Sequence, residues 1–148
     1  MMETFSDLGF IGLFLSAFLA ATILPLSSEV VLVGLLLAEM NPVLLIAVAT
    51  VGNVLGSLVN YGIGFFGSDF LRNRVLKISE QQFERSKLRF RKFGTLSLLF
   101  AWVPVIGDPL TLIAGVLRVN FMWFLLLVTL GKLGRYLVVA HVTLPNGF

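Results

Sequence analysis

The hydrophobic residues of this chain form four long stretches, and two of these are uninterrupted. They cover residues 42–66 and 121–142, and only the second contains charged residues, Lys132 and Arg135. A helix needs about 20 apolar residues to cross the roughly 30 Å hydrocarbon core of a bilayer. We therefore predict a complete transmembrane helix at residues 42–66 and another at residues 121–142.

The other two stretches are each broken by proline and by an acidic residue. The first is interrupted between Pro25 and Glu29, and the second between Pro104 and Pro109. The apolar run after each break has about nine residues and reaches roughly 13 Å as a helix, less than half the hydrocarbon thickness. We therefore predict two re-entrant helical hairpins, at residues 8–39 and 93–118.

Charged residues are concentrated between the two halves of the chain. Of the 19 Asp, Glu, Lys and Arg residues, 11 lie between Asp69 and Lys92, eight of them basic. By the positive-inside rule, this linker, residues 67–92, is cytoplasmic. Its spacing of phenylalanines and basic residues predicts an amphipathic helix on the membrane surface, with a solvated connector as the alternative.

This orientation makes the chain an inverted repeat. If the linker is cytoplasmic, the first hairpin enters from outside and the second from inside, each followed by a complete span. We predict a single all-α membrane domain over residues 1–148, of a kind common in transporters with a central substrate site. Two complete spans leave much hairpin surface to cover, so a homodimer is a candidate assembly.

Composition supports a membrane protein and argues against other classes. Hydrophobic residues make up 57% of the chain and charged residues 13%, too few polar residues to cover a water-soluble globule. The net charge of +3 comes from the linker, so no nucleic-acid partner is expected. With no cysteine, one histidine and no hydrolase motif, we expect no enzyme activity, metal or cofactor. Glu3 and Asp7 before the first apolar run argue against a cleaved signal peptide.

The acidic residues at the two breaks are the first candidates for chemistry. Ser27 or Ser28 can cap the helix that follows, with Glu29 in its first turn, and Asp108 can cap the helix that Pro109 begins. A carboxylate at the bilayer centre costs several kcal/mol, more than the roughly 1 kcal/mol that a cap contributes. Glu29 and Asp108 are therefore proton-coupling candidates, with simple capping as the alternative.

Basic and polar residues in the spans are the second set of candidates. Lys132 and Arg135 share a helical face and can bind a phosphate or lipid headgroup, or can pair with Glu29 and Asp108. Arg118 is a further headgroup candidate, with interfacial snorkelling as the alternative. Candidates for the lining of a polar cavity are Ser28, Asn53, Ser57, Asn60, Pro104, Gly107, Thr129 and Tyr136. For Asn53 and Asn60, interhelical hydrogen bonds are an equal alternative.

Five ordered motifs resemble one known family over residues 8–140. They are Leu24-Pro25 through Ser28-Glu29-Val30-Val31-Leu32, Gly52-Asn53-x-Leu55-Gly56, Trp102-x-Pro104-Val105-x-Gly107-Asp108, Ala114-Gly115-x-x-Arg118 and Gly131-Lys132-x-x-Arg135-Tyr136. Together they are similar to the YqaA-type branch of the DedA superfamily, also called the VTT or SNARE-associated domain. Better-known members carry two arginines in the second hairpin, where this chain has Ala101 and Gly107.

The resemblance implies a bacterial inner-membrane protein that moves lipid between leaflets. Phospholipid or polyprenyl phosphate is the implied substrate, with protons as the coupling ion, and the family's hairpin acid falls on Glu29. The absent arginines leave the cationic role to Lys132 and Arg135. The alternatives are a proton-coupled transporter of a small soluble ion and a membrane scaffold that transports nothing.

Overall fold

The computed structural model describes residues 2–22, 27–70, 81, 84, 88, 90–102 and 107–147, and these are helical or lie in turns and short connections. The α-helices are α1 (Met2–Ala20), α2 (Ser28–Leu37), α3 (Pro42–Phe70), α4 (Gly107–Val116) and α5 (Phe121–Thr143). A π-helical turn, Phe90–Gly94, leads into a 3₁₀-helix, Thr95–Trp102. Three of these helices, α1, α3 and α5, are long and apolar enough to cross a membrane.

The chain divides into two compact units. The first contains the described parts of residues 1–56 and 132–148, and the second those of residues 57–131. Helices α3 and α5 each contribute their first part to one unit and their second part to the other.

In the first unit, α1 and α2 form an antiparallel helical hairpin. A Cβ placed on Gly9 would lie 3.1 Å from Leu35, so the beginning of α1 packs against the end of α2. Gly52 lets α3 approach α1 closely, because a Cβ at this position would lie 2.6 Å from the Phe14 carbonyl oxygen. The core of this unit consists of buried residues Leu13, Ala17, Leu32, Leu36, Leu45, Ile46, Ala49, Tyr136 and Ala140.

In the second unit, the 3₁₀-helix packs against α4, and α4 against α3. Gly107, the first residue of α4, lies directly against the Ala101 backbone. Gly64 of α3 and Gly115 of α4 bring the two helix backbones together, since a Cβ at either position would overlap backbone atoms of the other helix. The buried core is formed by Tyr61, Leu98, Ala101, Ala114, Val119, Phe124, Leu127 and Val128.

The prediction of an all-helical protein is confirmed for the residues that the structure describes, but the structure differs from the prediction in the first and third hydrophobic stretches. Helix α1 begins at Met2 rather than at residue 8, and its 19 residues reach about 28 Å, the length of a complete span. The first arm of the second hairpin is a 3₁₀-helix instead of an α-helix. At about 2.0 Å per residue, its eight residues reach roughly 16 Å, which matches the roughly 15 Å of the ten-residue α4.

Other helix boundaries differ from the predicted ones by a few residues, and part of the linker lies outside the residues that the structure describes. Helix α3 continues to Phe70, so the beginning of the predicted linker is helical. Helix α4 begins at Gly107, which places Asp108 in its first turn instead of at the cap. The predicted surface helix falls mainly on residues outside the described ranges, where positions 81, 84 and 88 are helical.

The turns after α2 and α4 repeat the same backbone design. Glu39 and Arg118 are both left-handed, with φ of 60° and 51°. In each turn the next residue donates its N–H to the carbonyl five positions back: Met40 to Leu35 and Val119 to Ala114. This is the Schellman arrangement that ends helices. Asn41 and Asn120 then cap α3 and α5 through their Oδ1 atoms.

Each residue of the second turn lies 79 positions after its counterpart in the first. The same separation relates Glu29 to Asp108, each in the first turn of the preceding helix. The two halves of the chain are therefore a structural repeat at the level of individual turns.

Candidate functional site

Two adjacent residue pairs join the start of α2 to the second half of α5 in the first unit. Glu29 lies in the first turn of α2, and its Oε1 forms an ion pair with Nη2 of Arg135. The Arg135 side chain is 16% exposed and that of Glu29 22%, so both are partly accessible. Of the two pairings that the sequence left open for Arg135, the structure shows the one with Glu29.

Next to the ion pair, the two neighbouring residues form a buried hydroxyl contact. Ser28 Oγ and Tyr136 Oη lie 2.8 Å apart, and both residues are almost completely buried. The Asn53 side chain forms a further hydrogen bond with the Tyr136 hydroxyl, which adds α3 to the same cluster. The site therefore has a neutral buried side and an ionic, partly accessible side.

The predicted serine cap on α2 is wrong. Ser27 is at the N-cap position, but its side chain makes no capping bond to the helix backbone. Its Oγ donates instead to Glu29 Oε2 at 3.2 Å, while the Ser28 hydroxyl is engaged with Tyr136. Both serine hydroxyls therefore interact with side chains of the cluster rather than with free backbone N–H groups.

Lys132 adds a second cation on α5. It is 1% exposed, belongs to the first unit and lies three positions before Arg135, hence on the same face of the helix. Lysine is almost never fully buried unless it has partners. Lys132 therefore places a second positive charge on the face of α5 that carries Arg135.

Removing the Tyr136 hydroxyl should destabilise the first unit. In Tyr136→Phe the buried Ser28 hydroxyl loses its partner, which costs about 1–3 kcal/mol. Ser28→Ala should cost less, because the Tyr136 hydroxyl keeps its bond to Asn53. Denaturant unfolding in detergent should show a double variant less destabilised than the sum of the two single ones, by about 1 kcal/mol. Strictly additive effects would contradict this coupling.

The polar residues of α3 make hydrogen bonds to neighbouring helices. Asn53 donates to the Ala17 carbonyl at 2.9 Å in the first unit, and Asn60 donates to Thr111 Oγ1 at 3.2 Å in the second. Ser57 is completely buried. At Asn53 and Asn60 the structure thus shows interhelical hydrogen bonds, and cavity lining by these residues and by Thr129, which is half-buried on α5, stays a prediction.

Asp108, the second acidic candidate, belongs to the second unit. Its carbonyl oxygen accepts a hydrogen bond from Thr111 Oγ1 at 2.6 Å within the first turn of α4. Gly107 beside it is buried against Ala101, and Pro104 lies outside the described residues. Thr111, which the sequence analysis missed, thus connects Asp108 to Asn60. The sequence does mark Thr111, because it is the only polar residue between Leu110 and Leu117.

Arg118 is held in the second unit by contacts with α3. Its guanidinium lies 5.0 Å from the centre of the Phe65 ring, and Nη2 donates to Ser68 Oγ at 3.4 Å. Its backbone is left-handed, a conformation that costs an L-residue roughly 1 kcal/mol and usually selects glycine. These contacts fix an exposed cation at the end of α4.

Comparisons with known proteins identify relatives over most of the chain. The VTT domain matches residues 24–143. Inner membrane protein YqaA of Escherichia coli is 39% identical over 140 residues, covering 94% of each chain. An uncharacterized protein of Haemophilus influenzae is 38% identical over 143 residues, 90% of this chain and 86% of its own length. An alkaline phosphatase-like protein of Lactococcus lactis is 25% identical over 146 residues, 90% of this chain and 68% of its own. No solved structure matches the chain significantly.

Proposed function

Because the chain belongs to the VTT-domain (DedA) family, we propose that it is an inner-membrane lipid transporter. In this proposal it moves an anionic lipid, phospholipid or polyprenyl phosphate, between leaflets as a flippase or scramblase coupled to protons. No covalent bond of the lipid is broken. The inner-membrane location is that of the Escherichia coli relative, and three long apolar helices agree with it.

The Glu29–Arg135 ion pair is the observation that carries the proposal. An ion pair in an apolar, membrane-spanning bundle is costly and marks substrate or proton pathways. Arg135 presents the planar fork that binds phosphate oxygens, with Lys132 on the same face as a second positive charge. Glu29 supplies a carboxyl group that can carry a proton. The site therefore has the groups needed to hold an anionic headgroup away from water.

We further propose that the two helical hairpins are re-entrant and that the halves of the chain have opposite orientation. The repeated turns support this topology, because one places Glu39 and the other Arg118 at the same left-handed position. In this topology Arg118 is on the cytoplasmic side, which agrees with the positive-inside rule. Helix α1 is long and apolar enough to cross the membrane. The proposed topology requires instead that the beginning of α1 and the end of α2 lie on the same side.

Single-cysteine labelling tests this topology cleanly because the natural chain has no cysteine. In intact spheroplasts, a membrane-impermeant maleimide should label Glu39→Cys at once. It should label Arg118→Cys only after permeabilisation. Equal labelling of both variants in intact spheroplasts would place the two turns on the same side and contradict the inverted topology.

Reconstitution tests the proposed activity. Purified protein in liposomes should move a headgroup-labelled anionic phospholipid, or a polyprenyl phosphate, between leaflets faster than protein-free liposomes do, and an imposed pH gradient should change the rate. The same vesicles loaded with a soluble anion of similar charge serve as the second arm. Transport of the soluble anion alone would favour the small-ion alternative, and transport of neither would support a scaffold.

A further inference from the structure

The Glu29 carboxylate forms an ion pair with the Arg135 guanidinium, the same group that binds the lipid phosphate in the proposed function. A carboxylate and a phosphate monoanion are both oxygen acceptors for the same N–H donors of Arg135. We propose that Glu29 is a built-in competitor for the anion, so that an anionic group binds Arg135 only after Glu29 has gained a proton and released the guanidinium. This inference rests on the anion site of the proposed function and gives that site its regulation.

The geometry allows the ion pair to open without separating the helices. Ser28 and Tyr136, the immediate neighbours of Glu29 and Arg135, are joined by a buried hydroxyl contact that carries no net charge. This contact is unaffected when Glu29 gains a proton. The Arg135 side chain is 16% exposed and that of Glu29 22%, while the Glu29 Oε1 atom that meets the guanidinium is buried, so an anion that replaces this oxygen is shielded from the surroundings.

The groups that face Glu29 come from two helices, α5 and α3, and from the residue before α2. Helix α5 supplies the cation Arg135 and the neutral Tyr136 hydroxyl, with Lys132 one turn away on the same face. Ser27 donates to Glu29 Oε2, and α3 adds the neutral Asn53 amide through its bond to Tyr136. Glu29 is the carboxylic acid of this set, so its protonation removes the negative charge that competes with an incoming anion.

Competition of this kind links proton binding to anion binding. Because each favours the state in which Glu29 and Arg135 are apart, the proton and the anion strengthen each other's binding by the same factor. The two are then carried together, and a singly charged headgroup travelling with one proton moves no net charge. Proton coupling thus follows from one shared guanidinium.

Binding of a sulfonate to the purified full-length chain tests the proposal. Octyl sulfonate shares the anionic oxygens of a phosphate headgroup, and its own charge is constant between pH 5 and pH 8. Titration calorimetry in detergent should give a Kd that rises with pH, by up to about tenfold per pH unit, since one proton is taken up for each anion bound. Glu29→Gln should bind octyl sulfonate at pH 8 more tightly than the unaltered chain does, with a flat pH profile.

Glu39→Gln is the matched control, because Glu39 is an exposed glutamate in the turn after α2. It should keep the pH profile of the unaltered chain. A flat profile for the unaltered chain overturns the proposal even if Glu29→Gln fails to fold. Weaker binding by folded Glu29→Gln at pH 5, or a flat profile for Glu39→Gln, would overturn it as well.

Inorganic sulfate, titrated in the same way, separates this inference from the proposed function. If sulfate binds as tightly as octyl sulfonate, the site takes free anions and lipid transport fails, while the competition with Glu29 stands. Much weaker sulfate binding with the same pH profile supports both. If the pH dependence of the sulfate Kd is the same in Glu29→Gln as in the unaltered chain, the proposed competition is contradicted.

Discussion

Replacing Arg135 with glutamine is expected to lower the rate of lipid translocation in liposomes at least tenfold. Charge-assisted hydrogen bonds to a phosphate are worth about 1.5–3 kcal/mol each, and every 1.4 kcal/mol corresponds to a factor of ten. Glutamine keeps hydrogen-bonding capacity and much of the side-chain length but loses the charge and the planar fork. Arg135→Lys keeps the charge but not the planar fork, so its translocation rate should lie between those of the unaltered chain and Arg135→Gln.

His141→Gln is the matched control for this experiment. His141 is exposed in the last turn of the same helix, α5, and has no part in the proposed site. Its variant should translocate lipid at the rate of the unaltered chain. Since Arg135→Gln also breaks the ion pair with Glu29, thermal unfolding of both variants must be compared first. A stable Arg135→Gln protein with an unaltered rate would remove Arg135 from the substrate path.

Replacing Gly64 with alanine is expected to destabilise the second unit by about 3 kcal/mol. The new Cβ would overlap the Leu112 carbonyl oxygen and would lie 2.8 Å from the Val116 nitrogen. Both atoms belong to the backbone of α4, so neither can rotate away as a side chain would. The helices must separate, and overpacking of this kind costs about 1–3 kcal/mol, toward the upper end when backbone is involved.

Gly62→Ala gives the comparison, only two residues earlier on α3. A Cβ at Gly62 meets no heavy atom within 4 Å, so the variant should unfold at the same denaturant concentration as the unaltered chain or slightly higher. Unfolding followed by tryptophan fluorescence in detergent would measure both variants. Equal stability of the two would show that α3 and α4 do not approach each other as closely as the structure indicates.

Hydropathy and proline positions predicted most of the helix boundaries, because those signals are local. The breaks before α2 and α4, and the beginnings of α3 and α5, follow from short runs of sequence. Helix α1 was predicted too short, since Glu3 and Asp7 end the apolar run but not the backbone hydrogen bonding. A 3₁₀-helix at 95–102 could not be predicted either, because apolar runs of this length do not distinguish it from an α-helix.

The partners within the site depend on packing between distant parts of the chain. Ser28 and Tyr136 are 108 positions apart, and nothing in either segment specifies the register in which α2 meets α5. For that reason the sequence named Glu29 and Arg135 as candidates but could not choose between Glu29 and Asp108 as the partner of the arginine. That Asp108 and Glu29 belong to one common site stays a prediction.

If an anionic headgroup passes the Glu29–Arg135 pair, a reactive group on that headgroup should cross-link to the residues around the pair. A lipid with a photoreactive group on its headgroup would be reconstituted with the protein, irradiated, and the labelled peptides identified by mass spectrometry. We expect labels around residues 27–32 and 132–136, and these should decrease strongly in Arg135→Gln. Labels confined to the exposed helix ends, such as residues 118–123, and unchanged in that variant would contradict it.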